Sequence, residues 1–308
     1  MIAVDVGGTT IKGAVVSRDG EFVHELSRAT PCEHGSEAVT AELLAVISEL
    51  REREPAAAAV GVVVPGAVDP VNGIARFSAN LGFRDVPLRD LVTAATGLPA
   101  LLDHDVRAAG VAERTVGVTA GVSDYLLAVI GTGIAGVLDS GGQNIRGASG
   151  IAGELGHVPV WPDGDLCPCG QRGCLERYAS AASVSRRYAE LSGRTLSAVD
   201  VVARCADDAT AAQVWREATE ALAIAFATCT MLLDPAMIVL GGGLSEAGEA
   251  LLAPVRGELA ERVVWREPPP VRLSGLGARA GRVGAAVLAW RLLGVEEFGS
   301  WERWSAEQ

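Results

Sequence analysis

The stretch Ile2-Ala-Val-Asp5-Val-Gly7-Gly8-Thr9-Thr10-Ile-Lys12-Gly-Ala-Val-Val16 decides the fold of this chain. Its two apolar runs, residues 2–6 and 11–17, flank a glycine turn, and a third run at 21–27 follows Asp19-Gly20. Runs of this kind joined by short turns predict an antiparallel β-meander. Helical spacing over 36–53 and a continuous apolar run over 57–64 then predict a helix and a strand buried on both faces. The opening unit is therefore βββαβ.

A second series of elements repeats this opening. Two strands are predicted at 125–130 and 134–138 around Gly131-Thr132-Gly133, and a short one at 143–146 follows Gly141-Gly142. The other predicted elements are helices at 88–96, 105–116, 209–233, 247–262 and 281–293 and strands at 101–102 and 236–240. We predict an α/β protein of two related lobes around a central cleft, a small one at 1–117 and a larger one at 118–293. A helix at about 294–308 is expected to pack back on the first lobe, with Trp301 and Trp304 packing it rather than binding ligand.

Composition limits the partners of the chain. Of its 308 residues 49% are hydrophobic and 21% are charged, which excludes disorder. A net charge of −12 without a basic run argues against a surface for nucleic acid or anionic membrane. The longest uncharged apolar stretches, about 14 residues, are too short to span a membrane. Because no basic region precedes the first apolar run, a secretory signal is not expected, and we predict a cytoplasmic protein.

The first glycine turn has the composition of a phosphate site. Residues without Cβ let backbone N–H groups approach an anion closely, and a threonine hydroxyl and a lysine ammonium add donors and positive charge. The same residues are compatible with an ordinary hairpin turn, but the only lysine among 26 basic residues is Lys12, next to this turn. A carboxylate at the strand end could hold Mg²⁺ through water. We therefore predict contacts to Mg-ATP from Asp5, Gly7, Gly8, Thr9, Thr10 and Lys12.

Two further glycine segments follow, each compatible by itself with a structural turn. Gly131-Thr132-Gly133 is a second hairpin turn, and Gly241-Gly242-Gly243 lies where a strand meets a helix, so that a nucleotide could lie flat on bare backbone. The three segments in this order resemble the two phosphate segments and the adenosine segment of the superfamily of sugar kinases and actin, whose lobes each carry a ribonuclease H-like sheet. The sequence contains neither a P-loop nor a dinucleotide-binding fingerprint.

Asp103-His104-Asp105 runs from a predicted strand into a predicted helix. A carboxylate at that junction can accept a proton from a hydroxyl while the helix N-terminus keeps it ionised. Either aspartate could instead simply cap the helix.

A second constellation combines a carboxylate, an imidazole and three thiols. Glu154 and His157 are three residues apart, so on a helical turn both face one side. Ten residues after His157 begins the run Cys167-Pro-Cys169-Gly-Gln-Arg-Gly-Cys174. One imidazole and three thiolates complete a closed tetrahedral zinc site, whereas the alternative is three free cysteines in a glycine loop. We predict structural zinc.

Together these segments resemble the ROK family, named for repressors, open reading frames and sugar kinases. Its Glu-x-Gly-His and Cys-x-Cys-Gly-x-x-Gly-Cys-x-Glu patterns are met at 154–157 and 167–176, and Pro65-Gly66 and Asn80-Leu-Gly-Phe83 fall in family order. The resemblance covers essentially the whole chain. It implies a homodimeric kinase that transfers the γ-phosphoryl group of Mg-ATP to a hexose 6-hydroxyl, with glucose as the first expected acceptor and Asp105 as general base. The sugar contacts that it implies are Gly66, Asn80, His104, Asp105, Glu154, His157 and Glu176, with His157 directing its other ring nitrogen to zinc.

One position departs from the family pattern, which usually has Asn-Asp where this chain has His104-Asp105. Imidazole is larger than an amide and, when neutral, offers one donor and one acceptor on opposite edges. The change is compatible with a lineage variant of a glucokinase or with a pocket for a changed 3-position, as in kanosamine, an amino-hexose that some ROK kinases accept. A sugar-sensing repressor of the family would carry a winged-helix domain before the core, which we do not expect because the phosphate motif starts at Asp5. Intact Asp5, Lys12 and Asp105 also argue against a catalytically dead sugar-binding protein.

Overall fold

The computed structural model of the chain describes residues 1–296 and Phe298, and these form two compact units. The first comprises Met1–Ala120, Gly147–Ile151 and the described residues from Arg279 onward, and the second comprises Gly121–Arg146 and Ala152–Ala278. Trp301, Trp304 and most of the predicted helix at 294–308 lie outside the described residues.

The first unit confirms the predicted βββαβ opening. Its elements are β1 (Ile2–Val6), β2 (Thr10–Val16), β3 (Phe22–Ala29), α1 (Ser36–Arg53), β4 (Val60–Val64), β5 (Ala67–Asp69), β6 (Ile74–Ser78), β7 (Phe83–Val86), α2 (Leu88–Thr96), β8 (Ala100–His104) and α3 (Asp105–Val116). Five strands form one sheet in the order β3-β2-β1-β4-β8. The first three are antiparallel, and β4 and β8 run parallel to β1. The valines of β4 are all buried, as a strand covered on both faces requires.

A small second sheet, β5-β6-β7, was not predicted. Its strands have three to five residues and mix buried with exposed positions irregularly, so they lack the alternation that identifies a half-buried strand. This sheet sets the positions of Gly66, which precedes β5, and Asn80, which lies between β6 and β7.

The second unit repeats the plan of the large sheet. Its elements are β9 (Tyr125–Ile130), β10 (Ile134–Ser140), β11 (Gln143–Asn144), α4 (Glu176–Ala179), α5 (Ala181–Ser192), α6 (Ala198–Ala203), α7 (Ala209–Leu233), β12 (Met237–Gly241), α8 (Glu249–Arg262) and β13 (Val271–Leu273). The sheet order is β11-β10-β9-β12-β13, again with antiparallel strands first and two parallel strands last. Helices α4, α5 and α6 and strand β13 were not predicted. The predicted repeat of the opening topology is confirmed.

A last helix, α9 (Ala280–Leu292), returns to the first unit. The sequence prediction had placed residues 281–293 with the second lobe, so the structure differs here. Close packing explains the difference: a Cβ on Gly284 would collide with the carbonyl oxygen of Ala108 in α3, and a Cβ on Gly61 in β4 would collide with that of Ala285. The helical pattern is visible in the sequence, but the partner of such a small-residue face is not.

In the part of the chain that the structure describes, every helix is too short or too polar to cross a membrane.

Candidate active site

The first glycine turn connects β1 to β2 and sets Asp5 directly opposite Lys12 in the antiparallel register. Directly opposed residues project their side chains on the same face of the sheet. The Gly7 N–H closes the turn on the Thr10 carbonyl oxygen at 2.9 Å, and the Thr30 hydroxyl donates to the Gly7 carbonyl oxygen at 2.7 Å. The turn is therefore held from outside as well as by its own hydrogen bonds.

This turn also adjoins a predicted sugar contact. A Cβ built on Gly8 would lie 3.3 Å from the Cβ of Asn80, so the bare glycine leaves space for the asparagine beside the predicted phosphate segment. Gly66 has a clear structural requirement of its own: its φ is 103°, and a Cβ there would collide with the Phe77 carbonyl oxygen. Only glycine fits such a position without strain.

Asp5, Lys12 and Asp105 share one electrostatic environment. Burial and, to a lesser extent, the charge of Asp105 raise the pKa of Asp5 to about 7 against the opposing effects of Lys12 and Arg282. Two nearby carboxylates repel each other when both are ionised, so a cation close to them is stabilised. The structure thus brings Asp105 into the electrostatic environment of Asp5 and Lys12, which lie about a hundred positions earlier in the sequence.

His104, rather than Asp103, is the N-cap residue of α3. The Val106 N–H donates to His104 Nδ1 at 3.2 Å and to Asp105 Oδ1 at 2.7 Å. Asp103 is buried, and its Oδ1 accepts the His104 N–H at 2.7 Å and Arg107 Nε at 3.0 Å. Asp103 is therefore a structural anchor of the junction.

Asp105, the predicted general base, has an environment that shifts its pKa towards neutral pH. Burial raises its pKa to about 6, against the opposing effects of the Val106 N–H and the Arg107 guanidinium. Its side chain retains 28% of its exposure, so it is accessible to a hydroxyl group. A base whose pKa lies close to neutral pH combines a high ionised fraction with proton affinity, which is the optimum for proton transfer.

In the second unit, the turn Gly131-Thr132-Gly133 is joined by the carboxylate of Glu176. Oε2 of Glu176 accepts the Ile134 N–H at 2.7 Å. A Cβ on Gly133 would lie 2.6 Å from the same oxygen, and one on Gly156 would lie 3.2 Å from it. Glycine at both positions lets this carboxylate reach the hairpin.

The third glycine segment, at the end of β12, also contacts the second hairpin. Gly242 has a φ of 82°, and a Cβ there would lie 2.5 Å from the Ile130 carbonyl oxygen. Gly243, in contrast, has open space at its Cβ position as far as the described residues extend. The segment therefore combines one glycine that the fold requires with one whose bare face is available to a ligand.

The predicted zinc ligands lie together. The ligand atoms of His157, Cys167, Cys169 and Cys174 are all within 4.8 Å of one another, with 3.9 Å from Cys167 Sγ to His157 Nδ1 and 3.7 Å between Cys169 Sγ and Cys174 Sγ. A tetrahedral zinc site with bonds of about 2.3 Å to sulfur has ligand atoms about 3.8 Å apart, so the four residues fit this metal. The loop is shaped by hydrogen bonds from the Cys167 N–H to Gln171 and from the Gly170 N–H to Cys167.

His157 presents its two ring nitrogens to different partners. Nδ1 faces the cysteines, and Nε2 lies 3.9 Å from Oε2 of Glu154, across the 3₁₀ turn at Leu155–His157. The predicted placement of Glu154 and His157 on one side of a helical turn is confirmed.

Comparison with known proteins identifies the group to which these features belong. The sequence model of the ROK family matches residues 1–291. The chain belongs to the ROK family. It is 34% identical to the glucokinase of Thermotoga maritima over 96% of this chain and 98% of that protein, and 30% identical to the N-acetylmannosamine kinase of Escherichia fergusonii over 94% and 97%. A ROK glucokinase from Streptomyces griseus, solved in complex with glucose and AMPPNP, has a TM-score of 0.84 at 31% identity and covers 94% of this chain and 99% of its own.

These matches confirm the predicted family and the α/β fold of this ROK protein. The sequence reasoning missed two residues that support the site. Thr30 holds the first glycine turn, and Arg107 ties Asp103 to the Gly150 carbonyl oxygen at 3.0 Å. The spacing of four between Asp103 and Arg107 on a helix start could have revealed the second, since such pairs face each other. Thr30 is distant in sequence from the turn and left no local signal.

Proposed function

We propose that this ROK protein transfers the γ-phosphoryl group of Mg-ATP to the 6-hydroxyl of a hexose, with glucose as the first expected acceptor and Asp105 as general base. The class of enzyme, an ATP-dependent sugar kinase, follows from relatives named as glucokinase and N-acetylmannosamine kinase over more than nine tenths of the chain. The observation that supports the role of Asp105 is its accessible carboxylate at the end of β8, with a pKa of about 6 and the hairpin pair of Asp5 and Lys12 in its electrostatic environment.

In the proposed reaction, Asp105 accepts the proton of the acceptor hydroxyl. The hydroxyl oxygen forms a bond to the γ-phosphorus, and the bond between the γ-phosphorus and the bridging oxygen breaks, so that ADP leaves. Phosphoryl transfer has a loose transition state, so most of the rate enhancement comes from positioning and charge stabilisation. Mg²⁺ would neutralise charge on the phosphate oxygens, with Asp5 holding it through water. We assign Lys12 and the amides of the first turn, with Thr9 and Thr10, to the phosphates, and Gly131, Thr132 and Gly133 to a second phosphate segment.

For the acceptor sugar we propose contacts from one glycine and five polar side chains: Gly66, Asn80, His104, Glu154, His157 and Glu176. Hydroxyl-rich ligands are bound by side chains that donate and accept together, and this set offers an amide, two imidazoles and two carboxylates. Gly241, Gly242 and Gly243 are assigned to the adenosine.

We further propose that the four-residue cluster binds one structural zinc ion. With all four positions taken by protein ligands, the ion would have no open site for catalysis. Its effect on the reaction would be indirect, because it would fix the ring of His157 through Nδ1 and leave Nε2 for a sugar hydroxyl.

The testing experiment is a coupled assay with Mg-ATP over glucose, kanosamine, mannose, N-acetylmannosamine and N-acetylglucosamine, with the position of the new ester read by phosphorus-proton correlation NMR. We expect the highest kcat/KM for glucose and a 6-phosphate product. Binding of sugar without turnover of any of the five would contradict the proposal and favour a sugar-sensing regulator.

Kanosamine is the second candidate acceptor, and the observation that favours it is the imidazole at position 104. The matched variant is His104→Asn, which restores the amide usual in the family. If His104 adapts the pocket to a changed 3-position, this variant should raise the ratio of kcat/KM for glucose to that for kanosamine. An unchanged ratio would leave glucose as the preferred acceptor. Homodimerisation and a cytoplasmic location remain predictions.

A further inference from the structure

The side chains of His104 and Asp105 form a close triangle with one backbone amide. Nδ1 of His104 lies 3.2 Å from Oδ1 of Asp105, and the Val106 N–H lies 3.2 Å from the nitrogen and 2.7 Å from the oxygen. Both side chains are largely withdrawn from solvent, with 15% and 28% of their surface exposed. The three atoms are therefore within hydrogen-bonding distance of one another in a partly desolvated place.

One amide proton cannot satisfy both acceptors equally. The Val106 N–H is closer to Asp105 than to His104, and in the tautomer whose proton is on Nε2 the lone pair of His104 Nδ1 faces the Asp105 carboxylate. A proton between the two atoms removes that repulsion and forms a charge-assisted hydrogen bond. The geometry thus creates a place where one additional proton is bound by two groups at once.

We propose that His104 and Asp105 act as a pair that holds the proton released by the acceptor hydroxyl. This proposal rests on the proposed function of Asp105. The O–H bond of the acceptor breaks, its electron pair forms the bond to phosphorus, and the proton passes to Asp105 and on to Nδ1 of His104. The resulting imidazolium is hydrogen-bonded to the carboxylate and returns the proton to water after the product leaves. An asparagine at position 104 has no basic nitrogen and could not hold this proton.

Several neighbouring elements carry charged groups. Arg107 on α3 lowers the pKa of Asp105, whereas Asp5 on β1 responds to the charge of Asp105 and is itself affected by Lys12 on β2 and Arg282 on α9. Within residues 1–296, the other neighbouring groups considered are neutral or already paired. β4 contains only valine and glycine, and the buried side chains of α2 are Leu88, Val92 and Thr96. Asp69 on β5 binds Asn72 and Arg76, and Asp103 binds Arg107. Because these surroundings are the same in each variant below, differences between variants report on the pair itself.

The direct test is NMR of the full chain labelled with ¹⁵N-histidine, which contains four histidines. His104 is assigned by its absence in His104→Asn, a substitution that keeps a good N-cap residue. We expect the pKa of His104 to fall by about one unit in Asp105→Asn, because an adjacent carboxylate stabilises the charged ring by at least that amount.

His34 is the matched control, since its Nδ1 lies 3.3 Å from Oε1 of Glu33 but both side chains are about 70% exposed. Solvent screens such a pair, so Glu33→Gln should change the pKa of His34 much less. A change at His104 no larger than the change at His34 would overturn the proposal.

The kinetic test is the acid limb of kcat/KM for the acceptor sugar. A pair binds the first proton more tightly than either group does alone, so the wild-type enzyme should lose activity at a higher pH than His104→Asn. An acid limb at the same pH in both proteins would overturn the pair's role in the reaction. If NMR shows that the pKa of His104 depends on Asp105 but Asp105→Asn remains fully active, then Asp105 is not the base and the pair has no role in the reaction. If the protein has no kinase activity, the NMR result alone decides whether the two side chains share a proton.

Discussion

The two large sheets share a strand order, yet the same register position carries different chemistry in each. One step from the first glycine turn, Asp5 of β1 is paired with Lys12 of β2. One step from the second turn, Val129 of β9 is paired with Ala135 of β10. The carboxylate near the second hairpin is supplied from outside the sheet, by Glu176 of α4.

The outer parallel strands differ in the same way. β8 ends at His104 and leads directly into Asp105. β13 leads instead into Ser274, whose N–H donates to the Leu240 carbonyl oxygen and whose hydroxyl accepts N–H groups of the following turn. Parallel strands bring their carboxyl ends to one edge, which is where open α/β sheets bind ligands. The duplicated backbone therefore provides an equivalent edge in each of the two large sheets. Charged side chains line the edge of the first sheet, whereas the edge of the second presents mainly backbone. Each prediction below tests one half of this contrast.

The largest effect is expected at the end of β8. Replacing Asp105 by Asn should lower kcat by about 10²- to 10⁴-fold, the usual contribution of a general base, while sugar binding stays measurable. Steady-state kinetics with calorimetry of sugar binding would check both halves. Asp90→Asn, on the exposed side of α2, is the control and should keep normal turnover. Near-normal kcat in Asp105→Asn would remove the distinction between the two sheet edges.

The second unit should depend on its metal cluster. Elemental analysis is expected to find about one zinc per chain, and Cys169→Ala should lose it. Without the ion the ring of His157 is no longer fixed, so kcat/KM for the sugar should fall about 10- to 100-fold. Cys205→Ser changes a thiol of the same unit outside the cluster and should keep both metal and activity. A metal-free, fully active protein would contradict the zinc proposal.

Long helices, short strands and the His/Cys cluster differed in how well the sequence predicted them, for physical reasons. Long periodic elements such as α1, α3 and α7 were predicted with their observed bounds, because an apolar stripe of period 3.6 over several turns has few alternatives. The strands β5 and β13 have three residues each and were missed, since pairing partners rather than their own pattern define them. The close approach of His157, Cys167, Cys169 and Cys174 was predicted because the spacing of such residues is itself the signal.

The electrostatic link between Asp5 and Asp105 could not have been predicted from spacing. It depends on β1 and β8 flanking β4 in one parallel arrangement and on α9 covering them, and the placement of α9 differed from expectation. Likewise, the identity of the N-cap residue of α3 depends on Asp103 turning towards Arg107, a contact made by tertiary packing.

A smaller effect should separate two adjacent glycines of the second unit. Gly242→Ala places a side chain in a backbone region that only glycine adopts readily, with its Cβ 2.5 Å from a carbonyl oxygen, and should lower the free energy of unfolding by about 1–3 kcal/mol. Gly243→Ala should leave stability within about 0.5 kcal/mol but raise KM for ATP, because its open face is the one proposed for the nucleotide. Denaturant unfolding and ATP kinetics on both variants provide the comparison. Equal stability losses, or an unchanged KM in Gly243→Ala, would contradict the assignment.

The smallest expected change concerns the lysine of the first hairpin. Arginine replaces lysine everywhere else in this chain, so Lys12→Arg is conservative in composition but not in chemistry. The planar guanidinium spreads its charge and binds oxygens in a fixed fork, whereas an ammonium is a compact point charge with three rotatable donors. Opposite Asp5, the larger group should meet the γ-phosphate in the wrong place, and KM for ATP should rise severalfold with a smaller fall in kcat. Arg18→Lys, in the next turn, is the reverse exchange and should leave both constants unchanged. If Lys12→Arg also leaves KM for ATP and kcat unchanged, arginine can replace the ammonium group in its role. The functional difference between the β1–β2 hairpin and the β9–β10 hairpin would then depend on Asp5 alone.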